Sequence, residues 1–109
     1  MTLRKYRWSR DYESAEEELV SLLAAKNIQA ERWVAEEYEE LESHEHAYNK
    51  QFWCVEGSTV FTAQGKNITL QAGDVLDIPA RIVFSAKAGF SGCVCYESPR
   101  SDTKPTILV

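Results

Sequence analysis

The stretch Gly73-Asp74-Val75-Leu76-Asp77-Ile78-Pro79-Ala80 decides the fold that the sequence predicts. It starts in the turn Ala72-Gly73-Asp74, continues as a short apolar strand and stops at Pro79, whose ring removes a backbone donor. The same order of turn and short strand recurs from Gln29 onward, at residues 31–38, 51–56, 59–63, 67–71, 82–86 and 92–97. Short strands at this regular spacing predict an all-β barrel or sandwich.

One helix is predicted ahead of the strands, over residues 12–26. Ser14 and Glu17 have the spacing of a capping box, and Leu19 and Leu23 recur at helical spacing. We expect this helix to pack one apolar face against a sheet.

Length and charge narrow the class of protein. The chain has 109 residues and a net charge of -5, which suits one domain and argues against a nucleic-acid partner. We expect residues 1–28 to form an N-terminal segment and helix, 29–98 the barrel, and 99–109 a surface tail or added edge strand. The basic residues near the start are expected to be solvated.

Cellular location is predicted from two further features of the sequence. No apolar run approaches the length of about 18 residues that a membrane span needs. The three cysteines, Cys54, Cys93 and Cys95, are an odd number, which favours free thiols in a cytoplasmic protein.

His44 and His46 are the two histidines of the chain. Residues at i and i+2 of a strand share a face, so two imidazoles there make half of a transition-metal site. The pair is also compatible with two surface or structural histidines.

The order of these motifs resembles the cupin superfamily. His44-Glu45-His46 is followed by Val55-Glu56-Gly57 and then by the Gly73 to Pro79 stretch, in the order of the two motifs of that family. The resemblance covers residues 33–97 and implies a double-stranded β-helix, or jelly-roll, barrel. It also implies a metal held by three histidines and one glutamate.

The departures from the family pattern fall on the metal ligands. Lys50 stands where the family has its glutamate, and Phe84 stands where the second motif has its histidine. An ammonium repels a dication, and a phenyl ring supplies no donor atom. We therefore expect at most a weakly held divalent ion, such as zinc, nickel, manganese or iron, on His44 and His46.

The two-residue period of a strand predicts which side chains after His46 could complete the metal site and line a pocket. If Lys50 points into the barrel, Phe52 and Cys54 do so too, and Cys54 could then complete a His-His-Cys site. The alternatives are that each cysteine is simple core packing, or that residues 47–49 break the parity and turn Lys50 to solvent.

Lys50 itself has two interpretations. It is either a buried acid-base or Schiff-base lysine, or a lysine that forms an ion pair with Glu37, Glu39, Glu45 or Asp77 or extends its ammonium to the barrel mouth. The second interpretation is favoured. Beside two histidines it would give an electropositive floor suited to an anionic or sugar-like ligand. The expected ligand-binding residues are Tyr48, Lys50, Phe52 and Phe84.

Three functions remain open at the level of the sequence. They are a small-molecule-binding cupin, a cupin enzyme of the isomerase, epimerase or dioxygenase type, and a structural or sensory dimer. We expect a homodimer, with Leu3, Tyr6 and Trp8 as additional apolar surface.

Overall fold

A computed structural model describes residues 3–8, 15–44 and 49–100, with the side chains of 42–44 and 100 excepted. Its elements, in chain order, are β1 Arg4–Arg7, α1 Ala15–Ala25, β2 Glu31–Ala35, β3 Glu40–His44, β4 Asn49–Ala63, β5 Lys66–Gln71, β6 Asp74–Ile78 and β7 Phe84–Arg100. The predicted strand 31–38 is shorter than expected, and the predicted helix 12–26 begins at Ala15 within the described part. Ser14, the expected cap, lies outside the described residues.

All strand pairs are antiparallel. The order across the sheet is β1-β6-β4-β7-β2, with β3 also paired to β7 and β5 also paired to β4. The all-β jelly-roll with one helix that the sequence predicts is confirmed.

Two long strands, β4 and β7, carry the architecture. The first half of β4 pairs with β6, its second half pairs with β5, and β7 runs beside both halves. The sequence prediction of four separate strands at 51–56, 59–63, 82–86 and 92–97 is wrong, because the chain passes through bulges rather than turns. The register of β4 against β7 shifts between Cys54 and Glu56 and again between Gly57 and Thr59.

Gly57 and Gly92 make these bulges possible. Both have positive φ angles, 71° and 74°, and a Cβ at Gly57 would overlap the carbonyl oxygen of Gly92. Glycine is required there because the two backbones approach too closely for any side chain.

Residues of β4 alternate between two hydrophobic cores. Phe52 and Cys54 lie in the barrel core with Phe61 and Phe84. Trp53 and Val55 lie in a second core beneath α1. The sequence predicts that Lys50, Phe52 and Cys54 all point into the barrel. This is confirmed for Phe52 and Cys54.

Helix α1 covers the second core from outside the sheet. Ala15, Leu19 and Leu23 are buried on one face of the helix. The helix ends at Ala25, Asn27 just beyond it has a left-handed φ of 55°, and the Ile28 amide donates to the Leu23 carbonyl. The apolar stripe therefore attaches the helix to the sheet, as expected.

The N-terminal segment forms a strand, which the sequence did not predict, although its basic residues Arg4, Lys5 and Arg7 are exposed as expected. β1 pairs with β6 in the register Arg4 to Asp77 and Arg7 to Asp74. The Arg7 guanidinium lies 2.9 Å from a carboxylate oxygen of the buried Asp74. Leu3, Tyr6 and Trp8, the apolar surface expected at a dimer contact, pack onto the cores of their own chain.

Within the described part of the chain, no helix has the length and apolar character needed to cross a membrane.

Candidate functional site

A cavity of about 320 Å³ opens into the interior of the barrel. It lies among β2, β3, β4 and β7, and its wall is formed by Glu31, Trp33, Val34, Ala35, Glu39, Glu40, Leu41, Lys50, Phe52, Thr59, Phe84, Ala86, Ala88 and Glu97. The volume is at the lower end of the range of about 300–1,000 Å³ typical of small-molecule pockets. Three of the four expected ligand-binding residues, Lys50, Phe52 and Phe84, line it, and Tyr48 lies outside the described residues.

Aromatic rings form the floor of this cavity. Phe52 is 4.9 Å from Phe61 and 5.4 Å from Phe84, measured between ring centroids. Phe52 and Phe84 are almost fully buried, at 1% and 2% exposure. Their packing fixes the floor as a rigid apolar surface.

Lys50 and Glu97 make an ion pair at the cavity wall. The Nζ of Lys50 donates to Oε2 of Glu97 at 3.1 Å, and it lies 5.6 Å from the Phe52 ring centroid. The expected ion-pair role of Lys50 is therefore correct, although its partner is none of the carboxylates considered from the sequence. Glu97 is on the far strand β7, and it pairs in register with Phe52.

The charge of the cavity wall differs from the sequence expectation. Four glutamates, Glu31, Glu39, Glu40 and Glu97, stand against one lysine among the lining residues. Because Glu97 neutralises Lys50, the described residues do not form the electropositive floor that was expected. A wall of this charge disfavours an anion.

A second cavity, of about 260 Å³, adjoins the first. Glu31, Lys50 and Glu97 line both cavities. The ion pair therefore lies in the wall between the two spaces.

The expected metal ligands are only partly described. His44 is placed as a Cα partner of Phe84 across β3 and β7, and nothing is described of its side chain or of His46. Lys50 and Phe84, at the two remaining ligand positions, offer a paired ammonium and a packed phenyl ring. Among the described side chains, no group of three or more His, Cys, Asp or Glu residues is placed to hold a metal ion. The described residues therefore do not fit the usual cupin metal centre, and weak binding at His44 and His46 stays a prediction.

Cys54 lies below the cavity floor, outside the lining. It is fully buried, and its thiol donates to the Glu56 carbonyl oxygen at 3.5 Å. Cys93 and Cys95 are buried in the same core. A hydrogen bond with Cys95 lowers the pKa of Cys93, whereas hydrogen bonds with Cys54 and Cys93, together with burial, raise the pKa of Cys95 well above its ordinary value.

Glu97 and Trp33 line the cavity wall, although neither was among the ligand-binding residues that the sequence predicts. Residues 93, 95 and 97 are two apart on one strand and therefore share a face. This spacing from Cys93 and Cys95 was the evidence in the sequence that Glu97 faces inward. Trp33 is on β2, opposite Cys95, so its place was visible only from the pairing of distant strands.

Comparison with known proteins supports the fold independently. No protein-family model matches the chain, and no curated protein sequence matches it. A cupin-2 domain-containing protein from Shewanella frigidimarina is 31% identical over 66% of this chain and 70% of its own, with a TM-score of 0.57.

Two more distant structures cover nearly the whole chain. A DUF861 family protein from Thermotoga maritima is 14% identical, over 91% of this chain and all of its own, with a TM-score of 0.62. A cupin superfamily protein from Desulfitobacterium hafniense is 16% identical, over 93% of this chain and 79% of its own, also at 0.62. These two comparisons bear on the fold alone.

Proposed function

This chain belongs to the cupin superfamily, and from that membership we propose that it binds a small, neutral, polyhydroxylated ligand such as a sugar in the barrel cavity. The observation that carries the proposal is the Lys50–Glu97 pair in the wall of a cavity with an aromatic floor.

The ion pair supplies both kinds of hydrogen-bonding group without net charge. The Lys50 ammonium is a donor, and the Glu97 carboxylate is an acceptor with lone pairs beyond the one that Lys50 occupies. Hydroxyl groups donate and accept, so adjacent hydroxyls of a sugar match this pair. The side chain of Lys50 is only 10% exposed, which limits competition from bulk water.

An aromatic surface completes the match to a sugar ring. Trp33 is half-buried and lines the cavity, and Phe52 and Phe84 form its floor. Such faces cover the C–H groups of a ring, while a few polar groups fix its orientation.

The surrounding carboxylates favour a neutral ligand over an anionic one. Glu31, Glu39 and Glu40 add negative charge to the wall, and no second lysine or arginine is among the lining residues that the structure describes. The sugar-like class expected from the sequence is therefore retained in this proposal, and the anionic class is not.

Titration of the full chain with three probes tests the proposal. Tryptophan fluorescence would follow D-glucose, D-galactose and D-glucuronate, because Trp33 lies at the cavity. We expect at least one neutral sugar to bind about tenfold or more tightly than glucuronate, which corresponds to about 1.4 kcal/mol. Tighter binding of glucuronate, or no saturable response to any probe, would contradict the proposal.

A matched pair of variants localises the binding. Glu97→Gln removes the charge of the cavity acceptor, whereas Glu56→Gln changes an exposed carboxylate of β4 that is not among the lining residues. We expect Glu97→Gln to weaken sugar binding by about tenfold and Glu56→Gln to leave it unchanged. Equal effects of the two changes would place the site elsewhere.

The same ion pair supports a second candidate function, epimerisation or isomerisation of the bound sugar. A carboxylate and an ammonium in contact at 3.1 Å can act as base and acid on a ligand that lies against the pair on its cavity side. Incubation of the bound sugar in deuterated water would show this as incorporation of deuterium at carbon. Binding without incorporation leaves the chain a binding protein.

A further inference from the structure

The three cysteines of the chain are brought together in the barrel core, although Cys54 is about forty residues from the other two in sequence. Cys54 on β4 is the Cα partner of Cys95 on β7. Cys95 is two residues from Cys93 on the same face of β7, so the three side chains form a row in this core with Cys95 in the middle.

Strand geometry distinguishes the two possible disulfides in this row. Residues directly opposite in an antiparallel pair have Cα atoms about 4.5–5.5 Å apart. This is well inside the disulfide range of about 4.4–6.8 Å. Cys93 and Cys95 are two residues apart on one strand, a separation of about 6.6 Å, at the upper limit of that range. The Cys54–Cys95 bond is therefore the favoured end product.

Cys93 is the member of the row nearest to the ligand cavity. It is the Cα partner of Ala35 across β2 and β7, and Ala35 lines that cavity. Cys93 also keeps 4% of its surface exposed, whereas Cys54 and Cys95 are fully buried.

We propose that this thiol row is an oxidation site for small peroxides, in which Cys93 reacts first and Cys54 and Cys95 form the final disulfide. The proposal does not rest on sugar binding, because none of the three thiols is among the residues that line the cavity. Its substrate class is hydrogen peroxide and compact alkyl peroxides, since a thiol that is only 4% exposed excludes larger oxidants.

The steps balance with peroxide as the oxidant. The Cys93 sulfur attacks one peroxide oxygen, the O–O bond breaks, and the leaving hydroxide takes the thiol proton as water. The Cys95 sulfur then attacks the Cys93 sulfenic acid, and the hydroxyl leaves with the Cys95 proton as a second water.

A final exchange gives the favoured bond. The Cys54 sulfur attacks the Cys95 sulfur, the Cys93–Cys95 bond breaks, and the Cys54 proton passes to Cys93. Two thiols are oxidised in total, and one hydrogen peroxide is reduced to two waters.

Peptide mapping of the unmodified chain after peroxide treatment tests the end product. The protein would be treated with hydrogen peroxide, denatured in acid, labelled with iodoacetamide and digested with trypsin without reduction. Trypsin separates Cys54, in residues 51–66, from Cys93 and Cys95, in residues 88–100. We expect these two peptides to be cross-linked, with the label on Cys93. Three labelled cysteines, a label on Cys54 or Cys95, or a bond between two chains would overturn the proposal.

Two variants test the order of the steps. Cys93→Ser should give the same cross-link about fivefold or more slowly, because the thiol nearest the cavity is lost. Cys54→Ser should stop at an oxidised 88–100 peptide containing a Cys93–Cys95 disulfide. An unchanged rate in the first variant, or an unoxidised 88–100 peptide in the second, would show that Cys93 does not react first.

Discussion

Lys50 and Glu97 are diagonal neighbours across β4 and β7, and their ion pair lies in the wall between two cavities. Neither partner is local to the other in sequence. A substitution that breaks the pair should therefore change both the stability of the β4–β7 pairing and the charge of the cavity wall.

Replacing Glu97 tests what this pair contributes to stability. Glu97→Gln should lower the free energy of unfolding by about 1–2 kcal/mol, because an ammonium that is mostly buried loses a charged partner. Urea unfolding monitored by circular dichroism measures the change. Glu16→Gln, at the more exposed pair with Arg32, is the comparison and should cost under about 1 kcal/mol at neutral pH. Equal losses would mean that burial of the Lys50–Glu97 pair has no energetic effect.

Gly57 and Gly65 form a matched test of the β4 bulge. Both have positive φ, but a Cβ at Gly65 meets nothing within 4 Å, whereas one at Gly57 overlaps the Gly92 backbone. Gly65→Ala should cost about 1 kcal/mol from backbone conformation alone. Gly57→Ala should cost at least about 3 kcal/mol, because backbone atoms must also move. Thermal unfolding of the two variants would decide it, and similar losses would refute the close-approach explanation.

Phe84→His tests the alignment of the degenerate metal motif. His44 is the Cα partner of Phe84, so a histidine at 84 should raise nickel affinity by about tenfold or more, or about 1.4 kcal/mol. Phe61→His is the control, because Phe61 belongs to the same aromatic floor but pairs with Ile68 and Ala86. Calorimetric titration with nickel measures both variants. A gain at position 61 equal to that at 84 would mean that His44 does not contribute.

The pH dependence of stability should contain a contribution from Glu16. Hydrogen bonds from Arg32 and from the Tyr96 hydroxyl hold the pKa of Glu16 below its ordinary value of 4.5. A lowered carboxyl pKa stabilises the fold above that ordinary value, and the contribution is lost as the pH falls through the lowered pKa.

Glu16→Gln should therefore be less stable than the parent at pH 6, and the difference should shrink as the pH falls below 4. Urea unfolding at several pH values measures this, with Glu17→Gln, an exposed neighbour in the same helical turn, as the control. A difference that grows at low pH would contradict the assignment.

A homodimer remains the predicted assembly, although the N-terminal apolar residues expected at its contact are packed inside their own chain. Phe90 and Tyr38, 73% and 54% exposed, are apolar surface that the described part of the fold leaves uncovered. Light scattering should give twice the chain mass of 12.4 kDa at micromolar concentration. Phe90→Ser should shift the mass toward the monomer, and a parent that is already monomeric would show the prediction to be wrong.

Local patterns in the sequence predicted the ends of some strands and the inward-facing residues of others. The turn at Gly73 and the stop at Pro79 bounded β6 correctly, and period-two alternation placed Phe52 and Cys54 in the barrel core. What failed was the distinction between a bulge and a turn. Gly57-Ser58 suits either, and only the approach of Gly92 from a distant strand selects the bulge.

The site was harder to predict than the fold for the same reason. Lys50 was identified from motif spacing. Its partner Glu97 is on a distant strand, which the sequence predicted to end at Glu97 but which continues to Arg100. The charge of a cavity wall depends on which distant strands meet there, and the pattern within one strand does not carry that information.

The alternation of β4 between two cores has a consequence for how such a domain diversifies. Phe52 lines the barrel cavity, and its neighbours Gln51 and Trp53 face the opposite side, toward β1 and α1. Substitutions at inward positions can thus remodel what the barrel accepts while the outer attachment of the helix keeps the scaffold intact. One strand thus separates the barrel cavity from the core beneath the helix, so the cavity can change shape while the attachment of the helix stays as it is.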